Sequence, residues 1–434
     1  MKILRFIKNI VRRITPKFLI GIYHFSLALS GACFYRFPSR RLKVIGVTGT
    51  SGKSTVVELI AHIFRTTGHK TASSSSIQFR LNDDIEFNNL KMTMPGRWAM
   101  QRFLAQAVKA KCQYAVLEVT SEGISQHRHR FIDFDALVFT NLSPEHIERH
   151  GSFEKYLQAK SKLFSGLSKS IKKDKVIIAN IDDKYADHFL SFIADRKIGF
   201  GQKNRDKTKE GIYLDKITLS PFGSKFTFDN HEVSWPLLGE FNVLNGLAAV
   251  AATWSQGISR EKSSQALKSV KIMPGRMEIV MDSPFSVIVD YAHTPKALKF
   301  VYETVKIGLK GRMILILGAC GGGRDHWKRP VFGKIAEEYG DIIILTDEDP
   351  YDENPAAIIE QVRAGVSDNF KGKCSIVLDR EKAIKKAMHI ARPGDVIVIT
   401  GKGSEPLMCL SGGRKIPWDD RAIVRRLWSE MKAS

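Results

Sequence analysis

From residue 43 onwards, apolar β-branched runs alternate with stretches of helical spacing. That alternation is the pattern of parallel strands crossed by helices. Runs at 43–50, 114–120, 136–142 and 175–182 read as strands, and helices follow most of them. Over residues 211–238 the pattern shortens to alternating segments around Pro221-Phe222-Gly223 and Asp229-Asn230, which predicts antiparallel strands at one sheet edge. Residues 240–256, carrying the small apolar run Gly246-Leu247-Ala248-Ala249-Val250-Ala251-Ala252, read as a buried helix. After Met273-Pro274-Gly275-Arg276 a second alternation starts, with apolar runs at 286–291, 313–317, 341–346, 374–378 and 395–400. The expected division is a segment 1–42, a domain 43–271 and a domain 272–434.

The N-terminal segment follows a different pattern. Lys2, Arg5, Lys8, Arg12, Arg13 and Lys17 interleave with Ile3, Leu4, Phe6, Ile7, Ile10, Val11 and Ile14, separating basic and apolar faces at helical period. After Pro16, residues 18–35 contain no Lys, Arg, Asp or Glu, and Arg36, Arg40, Arg41 and Lys43 follow. Eighteen residues is the lower edge of a spanning helix. Three readings stay open: a peripheral contact of residues 1–36 with an anionic bilayer, packing onto the protein's own body, and a true span or secretory signal.

Composition changes this picture in two places. The chain has 434 residues, 43% hydrophobic and 26% charged, which is an ordinary folded protein of two or three domains. Lys plus Arg outnumber Asp plus Glu by 67 to 45, a formal charge of +22. Much of that excess lies in residues 1–43, which hold ten Lys or Arg and no acid. With the charge placed there and no RNA- or DNA-binding motif, a nucleic-acid-stimulated ATPase is disfavoured. Five cysteines without a Cys-x-x-Cys pair argue against a disulfide framework or zinc knuckle and predict a reducing compartment.

The chemistry begins at residue 44. Val44-Ile45-Gly46-Val47-Thr48 runs into Gly49-Thr50-Ser51-Gly52-Lys53-Ser54-Thr55 and then into a helical stretch. Glycines let backbone N–H groups curl around an anion, and the helix N-terminus adds positive potential. Lys53 would reach the terminal phosphates and the Ser54 hydroxyl would ligate Mg²⁺. Strict P-loop spacing would put glycine at Val47, so this is a shorter variant. The fold class is therefore α/β: a P-loop central domain with a mostly parallel sheet, then a C-terminal Rossmann-like α/β domain, preceded by a short basic apolar helical segment.

The loop alone would suit several amide-forming enzymes, folylpolyglutamate synthases and cyanophycin synthetases among them. The downstream segments are narrower: 117–128 with Glu118, Ser121, Gln126 and Arg128; Thr140-Asn141-Leu142-Ser143-Pro144-Glu145-His146; and Tyr156, Ala159, Lys160, Leu163 and Phe164. Leu238-Gly239-Glu240-Phe241-Asn242 with Asn245, Gly275-Arg276-Met277-Glu278, Asp290-Tyr291-Ala292-His293-Thr294-Pro295, residues 321–329, and Gly401-Lys402-Gly403 with Glu405 continue the series. In order, over about residues 43–430, these resemble the Mur ligases, ATP-dependent amide-forming enzymes of cell-wall synthesis. They look most like the branch that adds the third residue of the stem peptide.

The resemblance implies ATP and Mg²⁺, an acyl phosphate on a muramyl peptide, capture by an amino acid with a diamino acid as the leading candidate, and a cytoplasmic enzyme; the alternative is a ligase of the same superfamily with another acceptor, of the folylpolyglutamate synthase or cyanophycin synthetase kind. It implies phosphate contacts from Gly49, Thr50, Ser51, Gly52, Lys53, Ser54 and Thr55, and metal ligation by Ser54, Glu118, His146 and Lys160, the last as a carbamate. Lys53, Glu118, His146 and Lys160 would be the catalytic set, and their presence argues against a catalytically silent binding protein. Asn242 and Asn245 match adenine-side contacts; Arg276, Asp290, Tyr291 and His293 match residues that close over the nucleotide. Thr93, Ser121, Gln126, Arg128, Arg324, Asp347, Gly401 and Glu405 would meet the two small-molecule substrates, with Glu405 facing a side-chain ammonium.

Three departures qualify the transfer. Only 42 residues precede Lys43, where relatives carry a whole domain for the uridine nucleotide. Tyr351 stands where an arginine would fork onto the diaminopimelate carboxylate, so lysine or another amine is open. Glu122 replaces a usual histidine on the peptide side. The first departure and the basic apolar N-terminus suggest one cause, work at the inner membrane face on a lipid-linked muramyl peptide.

Overall fold

A computed structural model describes residues 16–90, 92–145, 147–221 and 223–433. The central sheet begins with β1 (Lys43–Thr48), whose five residues after Lys43 are all buried. A continuous apolar run of this kind suits a strand covered on both faces. β2 (Thr71–Ser74), β3 (Gln78–Leu81), β4 (Asp84–Phe87), β5 (Tyr114–Glu118), β6 (Ala136–Phe139), β7 (Val176–Asn180), β8 (Arg196–Gly201) and β9 (Glu210–Tyr213) complete it. Their spatial order is β4-β3-β2-β5-β1-β6-β7-β8-β9. β1 pairs in parallel with β5 on one side and β6 on the other, and only the β2–β3–β4 edge is antiparallel. The order in which strands are added reverses about β1, so the crevice beyond its C-terminal end is the expected ligand position.

Helices Lys53–Thr66 and Glu240–Ser255 cover one face of this sheet, and helices Arg97–Lys109, Phe153–Ser168 and Ala186–Leu190 the other. Helix Glu240–Ser255 is buried around most of its circumference, which explains its run of alanines: small side chains let it lie close to its neighbours. Helix Phe153–Ser168 starts where Ser152 accepts the Lys155 N–H.

β10 (Lys216–Ser220), β11 (Gly223–Phe228) and β12 (His231–Trp235) are antiparallel as expected, but they form their own three-stranded sheet rather than an edge of the first. Phe226, Phe228, Val233 and Trp235 point into the shared core, so the sheet packs on helices by one face. The edge position is taken by β9, parallel to β8. β2 to β4 were not expected either. Thr71-Ala72-Ser73-Ser74 has no apolar signature, and β4 is exposed at all four positions.

The C-terminal sheet contains β13 (Glu278–Met281), β14 (Ser286–Asp290), β15 (Met313–Leu317), β16 (Ile342–Leu345), β17 (Cys374–Ile376) and β18 (Val396–Thr400), ordered β13-β14-β18-β15-β16-β17. All its pairs are parallel except β13–β14. Helices Pro295–Lys306, Lys328–Tyr339 and Pro355–Arg363 cover one face, and Arg380–Ile390 and Asp420–Ala433 the other. Buried Arg380 ties those last two together, donating to both carboxylate oxygens of Asp420 at 2.9 and 2.8 Å.

The N-terminal helix Lys17–Phe34 lies against helix Arg97–Lys109. Its contact side is small: Ala28 and Ala32 are buried, and Gly31 lets Trp98 approach so closely that a Cβ there would stand 3.3 Å from the indole. Trp98 Nε1 donates to Ser30 Oγ at 3.1 Å, and the Phe25 ring meets Phe131 at 5.2 Å. Residues 1–15, where the basic and apolar faces were read from sequence, lie outside the described residues. Among the described residues no helix is long and apolar enough to cross a membrane.

Candidate functional site

The turn after β1 is the strand–loop–helix expected from sequence. Gly52 caps helix Lys53–Thr66 at φ 82°, in the left-handed region, and a Cβ on it would lie 2.4 Å from Asn245 Oδ1. The loop is braced from β6: Thr50 N–H donates to Asn141 O at 2.8 Å, Ser51 N–H to Asn141 Oδ1 at 2.9 Å, and Thr140 Oγ1 to Ser51 O at 2.7 Å. Such bracing fixes the amide directions before any anion arrives. Lys53 Nζ donates to Thr50 O at 2.8 Å, folded back over the loop; burial lowers its pKa, with Glu118 opposing and Arg276 adding.

Glu118 ends β5, Ser54 lies in the first turn of helix Lys53–Thr66, and Lys160 comes from the middle of helix Phe153–Ser168. Ser54 Oγ donates to Glu118 Oε2 at 2.8 Å, and Ser76 N–H reaches the same oxygen at 2.8 Å. Lys160, 1% exposed, donates from Nζ to Gly49 O at 2.7 Å and lies 4.8 Å over the Tyr156 ring. Burial drives its pKa well below the usual lysine value; the charge of Lys53 pushes the same way and Glu118 opposes. Tyr156 OH in turn lies 3.0 Å from Thr50 Oγ1. His146, expected beside these groups, lies outside the described residues. Among the described residues no three His, Cys, Asp or Glu side chains gather as a metal cage.

Asn242 and Asn245 are both buried at the start of helix Glu240–Ser255. Asn242 Nδ2 donates to Leu238 O at 2.8 Å, and Asn245 abuts Gly52. Neither caps the helix, whose N-cap is Gly239.

The second lobe closes over this loop. Arg276 stacks its guanidinium 4.3 Å over Tyr291 and reaches Ser76 Oγ at 3.4 Å. Asp290 accepts from the N–H groups of Met277 and Ala292, both at 2.7 Å, and so holds the Arg276 turn against β14. His293 Nδ1 lies 2.9 Å from Tyr291 O; burial, helped by Lys328, lowers its pKa to about 3, leaving it neutral at working pH. Lys328 Nζ donates to Glu145 Oε1 at 3.2 Å and His293 O at 3.1 Å, with both charged groups buried. Nearby, Glu148 N–H donates to Asp325 Oδ1 at 3.0 Å and His326 N–H to Glu148 Oε1 at 2.7 Å.

Between the lobes is a cavity lined by Ser76, Thr93, Tyr291, His293, Arg324, Glu348, Asp349, Tyr351, Gly401 and Glu405, with Asn88, Met92 and Lys328 also facing it. Its far wall is acidic. Lys402, fully buried, holds Asp349 at 2.9 and 3.0 Å and Glu405 at 3.0 Å, and Tyr291 OH donates to Glu405 Oε1 at 3.3 Å. Burial, reinforced by Asp349 and Glu405 and opposed by Arg380 and Lys402, raises the Glu348 carboxyl to about 7. Gly401, at φ 105°, leaves room for it: a Cβ there would stand 2.3 Å from Glu348 Oε2.

Four of the expected substrate contacts, Ser121, Gln126, Arg128 and Asp347, do not line the cavity. Asp347 Oδ1 accepts the Glu348 N–H at 2.8 Å, so Asp347 caps its own loop and the next two residues line the cavity instead. Ser121, Gln126 and Arg128 form a neighbouring cluster. Ser121 Oγ lies 3.1 Å from His150 Nε2, Gln126 Oε1 accepts from Arg128 Nη2 at 2.7 Å, and Arg128 reaches the Met92 sulfur at 3.5 Å. Ser76, Glu348 and Asp349 had no role read from sequence, and Glu145 and Lys402 entered only as members of family-like segments. Ser76 ends a plain serine run, and the acidic pair became legible only once Lys402 was seen beside it.

A phosphate loop beside a polar cavity that lies between two α/β lobes defines a nucleotide-using two-lobed enzyme. Two known domains cover most of it: the Mur ligase middle domain matches residues 47–253, and the Mur ligase glutamate ligase domain matches residues 275–403. The chain belongs to the Mur ligase family, the ATP-dependent amide ligases of peptidoglycan synthesis. It is 38% identical over 402 residues to the UDP-N-acetylmuramoyl-L-alanyl-D-glutamate–2,6-diaminopimelate ligase of Aquifex aeolicus (strain VF5), covering 93% of this chain and 80% of that one. It is 34% identical to the UDP-N-acetylmuramyl-tripeptide synthetase of Roseiflexus sp. (strain RS-1), over 94% of this chain and 82% of that one. A solved UDP-N-acetylmuramoyl-L-alanyl-D-glutamate–2,6-diaminopimelate ligase superposes with a TM-score of 0.62 at 29% identity, over 91% of this chain and 79% of that one.

Proposed function

We propose that this ligase joins a diamino acid to the terminal carboxylate of a muramyl peptide carried on a uridine nucleotide or a lipid. The cavity carries the reading: it has basic Arg324 and Lys328, and the carboxylates Glu348 and Glu405, in one space between the two lobes, and its wall residue Ser76 lies 2.7 Å from Ser54 of the phosphate loop. A diamino acid brings a second ammonium, and buried carboxylates are the groups that would hold it. The relatives named as diaminopimelate ligases support the same class of amine.

A carboxylate is a poor acyl donor because its oxygen is a poor leaving group. Moving the γ-phosphoryl of ATP onto it gives an acyl phosphate; the amine then forms the amide bond as phosphate leaves. The chain's part is to hold charge and exclude water. Lys53 and the loop amides would bind the phosphates, and Arg276 over Tyr291 would close the lobe on the nucleotide. Asn242 and Asn245 would meet the adenine side.

The donor set suits magnesium, which is commonly held by one or two carboxylates together with phosphate oxygens. The Ser54 hydroxyl and Glu118, already hydrogen-bonded to each other, would hold it, with His146 as a further ligand by family resemblance. When bound, the ion neutralises phosphate charge. Lys160 suits a carbamate for a stated reason: burial and Lys53 favour its neutral amine, the form that adds to carbon dioxide.

The test is the purified full chain with ATP and a panel of amino acids and muramyl dipeptides, nucleotide-linked in one arm and lipid-linked in the other, read by product mass. Phosphate release that depends on one amino acid, with a product heavier by that residue, is expected. ATP hydrolysis indifferent to every amino acid would refute the reading.

A further inference from the structure

Helix Lys17–Phe34 has two unlike sides. The side packed on helix Arg97–Lys109 is built of Ala28, Gly31 and Ala32. The other presents Phe18 at 66% exposure, Ile22 at 57%, Tyr23 at 61% and Phe34 at 68%, with Leu19 and Leu29 between them. Bulky side chains are thus turned to solvent while small ones take the protein contact, the reverse of a surface helix whose partner is its own domain.

The surroundings identify what covers that side. Residues 1–43 contain ten Lys or Arg and no acid. Arg36 and Arg41, exposed just past the helix, flank the apolar face, and residues 2–17 add six more basic residues at helical spacing in the sequence. At the same end Phe34, Tyr35 and Trp98 form an aromatic cluster, with ring centroids 5.0 to 6.0 Å apart. Aromatic rings with a polar edge beside cationic side chains suit the headgroup level of a bilayer. A second copy of the chain is disfavoured, because a two-fold contact would set the same basic residues against themselves. The helix is not long and apolar enough to cross, so it would lie in the plane of the surface.

We propose that the outer face of helix Lys17–Phe34, with exposed Arg36 and Arg41 beside it, docks this protein on an anionic lipid bilayer. The inference concerns a surface outside the cavity's lining and does not depend on which amine or acceptor the cavity takes.

Co-sedimentation of the full chain with phosphatidylglycerol-containing vesicles tests it without substrate. Binding is expected with those vesicles, at least about tenfold weaker with phosphatidylcholine alone and weakened by salt. The variant F18E/I22E/L29E changes only exposed side chains; it should bind at least about tenfold less while its ATP-dependent phosphate release in the absence of vesicles is unchanged. R36E/R41E gives a second readout that leaves the apolar face intact and should weaken binding to anionic vesicles alone. The proposal is overturned if the full chain stays in the supernatant with anionic vesicles, or if F18E/I22E/L29E sediments like the parent. It is overturned equally if the parent ignores vesicles and ultracentrifugation shows dimers that the triple variant abolishes, which would assign the face to a second copy.

Discussion

The ion pair between Lys328 and Glu145 joins the two lobes at the cavity and can be perturbed from either side. Both side chains are 3% exposed, and among the described residues the second carboxylate oxygen of Glu145 has no hydrogen-bond partner. Replacing Lys328 by Met therefore leaves a buried carboxylate without its cation, a change that costs about 3–5 kcal/mol when the charge persists. For a cooperative unit of about 150–250 residues, at about 2–4 °C per kcal/mol, that is a melting shift of about 6–20 °C. Glu145 has an escape. Burial already raises its pKa and Lys328 holds it down, so without Lys328 it takes up a proton more readily. A carboxyl whose folded pKa is raised binds its proton better in the folded state, so stability is recovered as pH falls and lost as pH rises through that pKa. K328M should thus melt much lower than the parent near pH 8 and approach it near pH 5. The same scan on E145Q and on the double variant closes a cycle, with an expected coupling of about 1–3 kcal/mol. Additivity within about 0.5 kcal/mol, or a K328M deficit independent of pH, would refute the reasoning.

Three further outcomes are expected. Lys53→Met should lower kcat of ATP-dependent phosphate release by about a hundredfold or more, because it removes a preorganised cation from the phosphate loop; a change below about tenfold would mean the loop does not carry the phosphates. Ser54→Ala removes the donor to Glu118 Oε2 and should raise the magnesium concentration for half-maximal rate by about 10–100-fold, checked by magnesium titration. Glu348, with a carboxyl at about 7, makes folding less favourable as pH rises from about 4.5 through 7; Glu348→Gln should flatten that limb and gain about 3 kcal/mol at pH 8 in denaturant melts.

Much of this was legible along the chain because it depends on neighbours in sequence. A β-branched run ending in Gly49-Thr50-Ser51-Gly52-Lys53 dictates a strand, a tight turn and a helix start, since phosphate-sized anions are held by consecutive backbone amides. The C-terminal apolar runs likewise mark strands covered on both faces, where every side chain must be apolar. The same period cannot show what pairs with what. β2 and β4 exist because β5 and β3 present free edges to them, not because Thr71-Ala72-Ser73-Ser74 or an exposed Asp84–Phe87 favours extension. The sheet of β10 to β12 separated from the edge for a similar reason: its aromatic face needed the helices.

The cavity divides in the same way. Charged residues announce themselves by type, yet type does not tell a solvated lysine from Lys160, whose amine is buried against Gly49 O. Nor does it tell which of Asp347, Glu348 and Asp349 faces inward, a matter of one loop hydrogen bond and of Lys402 arriving from the loop after β18, more than fifty residues away. Periodicity and turn chemistry are properties of a short stretch and can be read from it; burial, charge pairing and shifted protonation arise only when distant stretches exclude water together.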